Sequence, residues 1–342
     1  MSGQDDNKTS SKRAGYLKYS VIIIISLALV WFLLTRITFD DVTSVLSQVQ
    51  PIYLAIGIVI YITTYLFRAL RFYFILGRKI KFRELYTIVM VHNLVNKILP
   101  ARTGELSFIY LLKRHNINLE ERIATLVIAR IFDFMMISFF FLFSVLFLRD
   151  LPLIIAGAFW IIATCLLFLI MLLGGLLYRG DLVKRHINGL AARLRINRFK
   201  TIEKILKIME DTILAFKIIR SRKVIIKTTT LTCIIWILMF LLYYIYTQAF
   251  RIELGMFEII VIVSFMALLP LLPFYAVGGF GTTEVTITIF LVAFSVNEKV
   301  AIVASFGIHL IAIMYTVILG LIGALILGLK RKSEEHNSHN AS

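Results

Sequence analysis

Residues Leu85–Leu112 read LYTIVMVHNLVNKILPARTGELSFIYLL, an apolar run broken in its middle by Leu99-Pro100-Ala101-Arg102-Thr103-Gly104. Proline removes a backbone donor and glycine tolerates dihedrals that other residues avoid, so a helix is expected to unwind there. A second run, Phe257–Phe294, is interrupted in the same way by Pro270, Pro273 and Gly278-Gly279-Phe280-Gly281. In hydrocarbon, unwound backbone survives only where protein or a watery cavity covers it. Both runs therefore read as re-entrant or broken helical segments within a larger membrane protein.

The rest of the chain supplies that protein. Apolar residues make up 59% and charged residues 17%, against about 45–50% and about 25% in soluble domains. A soluble chain of 342 residues could not hide so much apolar surface. Six further stretches approach or exceed the roughly 20 apolar residues that a spanning helix needs: Leu17–Thr35, Ile52–Leu76, Arg122–Leu148, Leu153–Leu177, Val224–Phe250 and Val300–Leu329. The expected fold is an all-α integral membrane protein with about six full spans plus the two broken segments. Tyr16–Leu34 is not followed by a small-residue cleavage site, so it reads as a span and not as a signal peptide. Cys165 and Cys233 fall inside spans and read as buried thiols, neither a disulfide framework nor a metal site.

Charge sets the expected orientation. The net charge of +17 comes from basic loops between apolar spans, which argues for the positive-inside rule and against nucleic acid. Lys8, Lys12, Arg13 and Lys18 precede the first span, Arg78, Lys79, Lys81 and Arg83 follow the second, and thirteen Lys or Arg fall between Arg179 and Lys223. The intervening loops at Arg36–Pro51, Arg149–Pro152 and Arg251–Gly255 carry one each. Basic loops in the cytoplasm make every span alternate, with both termini cytoplasmic in a multi-pass cell-membrane protein. The domain reading is an arm at 1–16, one transmembrane domain at 17–329, and a disordered tail at 330–342. Within that domain, segment 178–223 carries an amphipathic helix on the cytoplasmic surface.

The same count yields an inverted-topology repeat, about 17–148 and about 153–329, with a broken helix at corresponding places. From Ile52 to Glu105 is 53 residues and from Val224 to Glu284 is 60; the longer second break accounts for most of the difference. Such pairs of interrupted helices point to a transport site near the bilayer midplane.

Arg102, Glu105, Arg130, Asp133 and Glu284 all fall inside membrane-embedded stretches. Facing lipid, each costs about 2.5–3.5 kcal/mol at the bilayer centre, together on the scale of a whole domain's stability of about 5–15 kcal/mol. They must face one another or a wet cavity. Arg130 and Asp133, three apart, read either as a mutual ion pair or as part of that cavity. Arg68 and Arg71 are expected to snorkel to the interface, and His309 to be a packing residue. The breaks end in Thr103-Gly104-Glu105 and Thr282-Thr283-Glu284, ordinary helix starts in a soluble protein. In hydrocarbon a simple cap needs no charge, so the glutamates are expected to serve ion pairing or proton coupling. Asn93 and Asn96, with His92, could line the same space.

Leu99-Pro100-Ala101-Arg102-Thr103-Gly104-Glu105, then Arg130-x-x-Asp133, then Gly278-Gly279-Phe280-Gly281-x-x-Glu284 resemble the flippase-like transmembrane region of lysylphosphatidylglycerol synthases, in a stand-alone, archaeal-type form. The resemblance covers about residues 15–330. It implies movement of lipids with modified headgroups between leaflets. The synthase's soluble aminoacyl-transferase domain has no counterpart here, so making lysyl-lipid is not implied, and Ala276-Val277 stand where the family often has proline.

The expected function is translocation of a phospholipid or lipid-linked headgroup, with Asn93, Asn96, Pro100, Arg102, Gly104, Glu105, Arg130, Asp133, Gly278, Gly279, Gly281 and Glu284 forming the path. No nucleotide loop, HExxH motif or Cys/His cluster is present, so neither an enzyme nor a cofactor is expected. The alternatives are an intramembrane transferase using a lipid-linked donor and a small-solute or ion transporter. The expected partners are membrane lipids with phosphate-bearing headgroups, with self-association left open.

Overall fold

The computed structural model describes residues 27–99, 103–148, 153–178, 185, 189, 221–269 and 277–339. Among these residues there is no strand. After a helical stretch at 27–34 come α1 (Phe39–Ser47), α2 (Pro51–Ile75), α3 (Phe82–Ile98), α4 (Glu105–Leu112), α5 (Leu119–Val145) and α6 (Leu153–Tyr178). The second half holds α7 (Arg222–Ala249), α8 (Met256–Leu268), a 3-10 turn at Val277–Gly279, α9 (Thr282–Ala293) and α10 (Glu298–His339).

Helix ends follow local chemistry. Pro51 opens α2 at a position where a missing N–H costs nothing. Past its end, Gly77 and Arg78 take positive φ and turn the chain. Leu99 is extended (φ −81°, ψ 135°), the conformation that a following proline imposes, and α3 stops before it. In the second interruption Gly278, Gly279 and Gly281 have φ of 66°, 84° and 83°, a region closed to most side chains.

Among the described residues, four helices are long and apolar enough to cross a membrane: Pro51–Ile75, Leu119–Val145, Arg222–Ala249 and Glu298–Leu329. Shorter apolar helices cover Phe159–Met171, Met256–Leu268 and Thr282–Ala293. The chain is a multi-pass, all-helical membrane protein. Most of the first expected span, the arm at 1–16 and almost all of the amphipathic segment at 178–223 lie outside the described residues, as do Pro100, Arg102, Pro270 and Pro273.

Two elements differ from the sequence reading. The loop at Arg36–Pro51 contains α1, closed by a capping box in which Thr38 Oγ1 accepts from the Asp41 N–H and Asp41 Oδ2 accepts from the Thr38 N–H. And α10 runs to His339, through the stretch read as a disordered tail. The sequence there, Lys330-Arg331-Lys332-Ser333-Glu334-Glu335, contains no helix breaker and spaces opposite charges four apart, which favours continuation.

Burial is arranged for lipid outside and polarity inside. Ile52, Ile56, Val59, Ile62 and Leu66 form an exposed stripe along α2, while Thr64 and Arg71 on the same helix are buried. α7 lies along α2, and α3 lies along α10, where Gly320 and Gly323 admit Leu94 and Met90. Two apolar cores result. One gathers Phe72, Leu85, Phe108 and Ile128 around α2 to α5; the other gathers Phe141, Phe240, Ile259 and Leu291 around α5 and α7 to α10. Residues of both cores wall the cavity described next.

Candidate functional site

Asp133 lies at the middle of α5 and is only 7% exposed. A carboxylate in that place is tolerable only if its acceptor sites are filled. Arg71 of α2 grips it with both terminal nitrogens, Nη1 to Oδ1 at 2.5 Å and Nη2 to Oδ2 at 3.2 Å. Trp236 of α7 donates its indole N–H to Oδ1 at 3.1 Å, and Arg130 Nη1 approaches Oδ2 at 3.5 Å. The same Arg71 Nη1 reaches Thr232 Oγ1 at 3.2 Å. Three helices are thus joined through one carboxylate.

This assembly corrects one expectation and joins the two readings of another. Arg71 does not snorkel: it is 3% exposed and bound inside. Arg130 and Asp133 both pair, at 3.5 Å, and line the cavity, and each has a closer partner elsewhere. Arg130 turns to the start of α4, where its Nε stands 2.9 Å from Glu105 Oε1, within ion-pair reach but off the line of a hydrogen bond.

These groups open on a cavity of about 270 Å³. Its charged lining is Arg68, Arg71, Lys97, Arg130 and Asp133, with His92 and His309 beside them. Asn93 and Asn96 line it as expected. Tyr61, Tyr65, Tyr243, Tyr246 and Trp236 supply aromatic walls. Arg68 donates from Nη1 to Asn93 Oδ1 at 3.1 Å. It too fails to snorkel, since it faces this interior space.

The glycines and glutamates of the two breaks stand behind the lining and shape it. A Cβ on Gly104 would fall 2.3 Å from Asn96 Cα and 2.7 Å from Val95 O, so only glycine lets the start of α4 rest on the backbone of α3. Glu105 then reaches Arg130. In the second break Glu284 is fully buried; its Oε2 accepts the Gly281 N–H at 2.7 Å, and its Oε1 lies 2.6 Å from His309 Nδ1. The cap role and the partner role of this glutamate are both filled, one by each oxygen. Thr283, beside it, reaches the cavity wall.

His309 is more than a packing residue. Its Nε2 lies 2.9 Å from the Gly278 carbonyl and 3.1 Å from Lys97 Nζ. A protonated Nε2 donates to the carbonyl, and a bare one accepts from the lysine; it cannot do both. The contact links α3, α10 and the Gly278 turn. Lys97 and Trp236 were missed as site residues, and Arg68 and His309 were set aside in favour of snorkelling and packing, because their neighbours lie far away in sequence. For Lys97, Arg68 and His309 the signal is charge or histidine within an apolar stretch; Trp236 carries no such signal.

Among known proteins, the sequence profile of the lysylphosphatidylglycerol synthase TM region matches residues 19–320. No curated protein matches the chain. The matched residues span nearly all of the helices that build the cavity, so the chain belongs to the lysylphosphatidylglycerol synthase transmembrane-region family.

Proposed function

We propose that this membrane protein carries a phosphate-bearing lipid headgroup between leaflets, holding the headgroup in the cationic cavity while the tails stay in lipid. The observation that carries the reading is four cations lining one cavity enclosed among the helices. A charged headgroup crossing bare hydrocarbon meets the same cost that the side chains would; a polar cavity flanked by interrupted helices removes it. The family's name, which ties it to a phospholipid, agrees.

An inverted repeat is part of the proposal. Exchanging α2 with α7, α3 with α8, α4 with α9 and α5 with α10 turns the α3–α10 packing into α8–α5, and α4–α5 into α9–α10. All four pairs are in contact, as the exchange requires. The breaks on this reading are discontinuous helices, and both termini are cytoplasmic because the basic loops lie on that side. Arg130 holds phosphate during passage, Glu105 positions Arg130, and no covalent step takes place.

The test is reconstitution. Full-length protein in liposomes containing a headgroup-labelled anionic phospholipid should expose inner-leaflet label to an outside quencher faster than empty liposomes. Arg130→Ala and Glu105→Ala should remove that gain while still inserting. An unaltered rate in both variants overturns the assignment of the site, and a chemically altered lipid points to the transferase alternative.

A further inference from the structure

We infer that the cavity accepts anionic phosphate headgroups and excludes headgroups that carry an ammonium, with Arg68 and Lys97 reading the charge. The inference rests on the reading above that a lipid headgroup enters this cavity.

The argument is one of charge balance. Among the described residues Asp133 is the only carboxylate in the lining, and its roughly four acceptor sites are taken by Arg71, Trp236 and Arg130. Arg130 also has Glu105. Among the described residues neither Arg68 nor Lys97 forms an ion pair with a carboxylate; Asp133 and Glu284 act on them only from beyond contact, and both are bonded to other groups. Arg68 bonds Asn93 Oδ1 and, at 3.8 Å, Met239 Sδ; Lys97 contacts His309 Nε2. All three partners are uncharged or, in the case of His309, neutral or positive. Both cations are half-buried in a cavity where attraction strengthens as water leaves.

A phosphodiester fits this arrangement. It can take the Arg68 guanidinium along an edge and Lys97 as a point charge, both charge-assisted. An ammonium entering the same space meets like charge and finds no open carboxylate. Aromatic faces can attract cations, but Arg68 already lies over the Tyr65 ring, 6.0 Å from its centroid. A lysylated headgroup would bring ammonium groups against Arg68 and Lys97, so the cargo differs from the lipid in the family's name.

The experiment uses the full chain in phosphatidylcholine nanodiscs doped with equal fractions of phosphatidylglycerol, phosphatidylethanolamine and lysyl-phosphatidylglycerol. Lipids retained after extraction are counted by native mass spectrometry. Phosphatidylglycerol should exceed either amine lipid by about tenfold, the scale of one charge-assisted hydrogen bond. Arg68→Gln and Lys97→Gln should each remove most of that preference, and Lys97→Arg should keep it. If Arg68→Gln fails to fold, the two Lys97 variants carry the test. Equal retention of the three lipids, or preference for an amine lipid, overturns the inference.

Soluble glycerol 1-phosphate separates the two sources of the phosphate, read by Trp236 fluorescence in a Trp31→Phe/Trp160→Phe background. A response lost in Lys97→Gln assigns recognition to phosphate esters with or without tails. Phosphatidylglycerol retained without such a response supports recognition confined to the membrane-borne headgroup. Retention of phosphatidylglycerol without leaflet exchange keeps this inference and overturns transport; exchange that ignores headgroup charge does the reverse.

Discussion

Asp133 and Gly104 show how much single positions carry. Asp133 receives donors from α2, α5 and α7, so Asp133→Asn should cost about 3–5 kcal/mol, the range for breaking one side of a buried pair. Thermal unfolding in detergent measures it. Replacing both partners, as Arg71→Met with Asp133→Leu, should recover most of that loss, because no uncompensated charge remains. A double variant as unstable as Asp133→Asn would refute the account. Gly104→Ala should destabilise by roughly 1–3 kcal/mol, since its Cβ would meet the α3 backbone and backbone cannot swing aside. A variant that melts with the wild type would show that α4 does not rest where it is placed.

At the scale of elements, most of the helices could be read directly from the chain. Apolar runs bounded by Pro51, Pro100 and the Gly278–Gly281 cluster end near those residues because proline and left-handed glycine act locally. α1 was legible in principle from Thr38 and Asp41 but was read as loop. Its acid makes a prediction of its own. The Asp41 carboxyl is held below the ordinary range by the Thr38 backbone N–H, then by the Thr38 hydroxyl and by Lys299. A lowered value means the contribution is whole above the ordinary carboxylate range and vanishes as pH falls through the depressed one. Acidification below about pH 4 should therefore release α1 from the start of α10, seen as faster amide exchange at residues 39–47. Asp41→Asn should exchange fast at every pH. Gly278→Ala should cost roughly 1–2 kcal/mol through its φ of 66°, read again by thermal unfolding.

For the whole molecule, the charges to be hidden were legible and their partners were not. Magnitude alone required Arg130, Asp133 and Glu284 to be sheltered. That Arg71 shelters Asp133, or that His309 meets Glu284, depends on helices packed 62 and 25 residues apart in sequence, which no local pattern encodes. The snorkelling expected of Arg68 and Arg71 failed for the same reason: position along α2 gives depth, and only packing gives direction. The two breaks also differ mechanically. Gly104 seats the first one against the Asn96 backbone, whereas three positive-φ glycines within four residues, Gly278, Gly279 and Gly281, serve the second. A machine with one riveted elbow and one loose one rocks unevenly. On the proposed transport reading the larger movement belongs to α9, and spin labels there should report wider distance distributions than labels on α4.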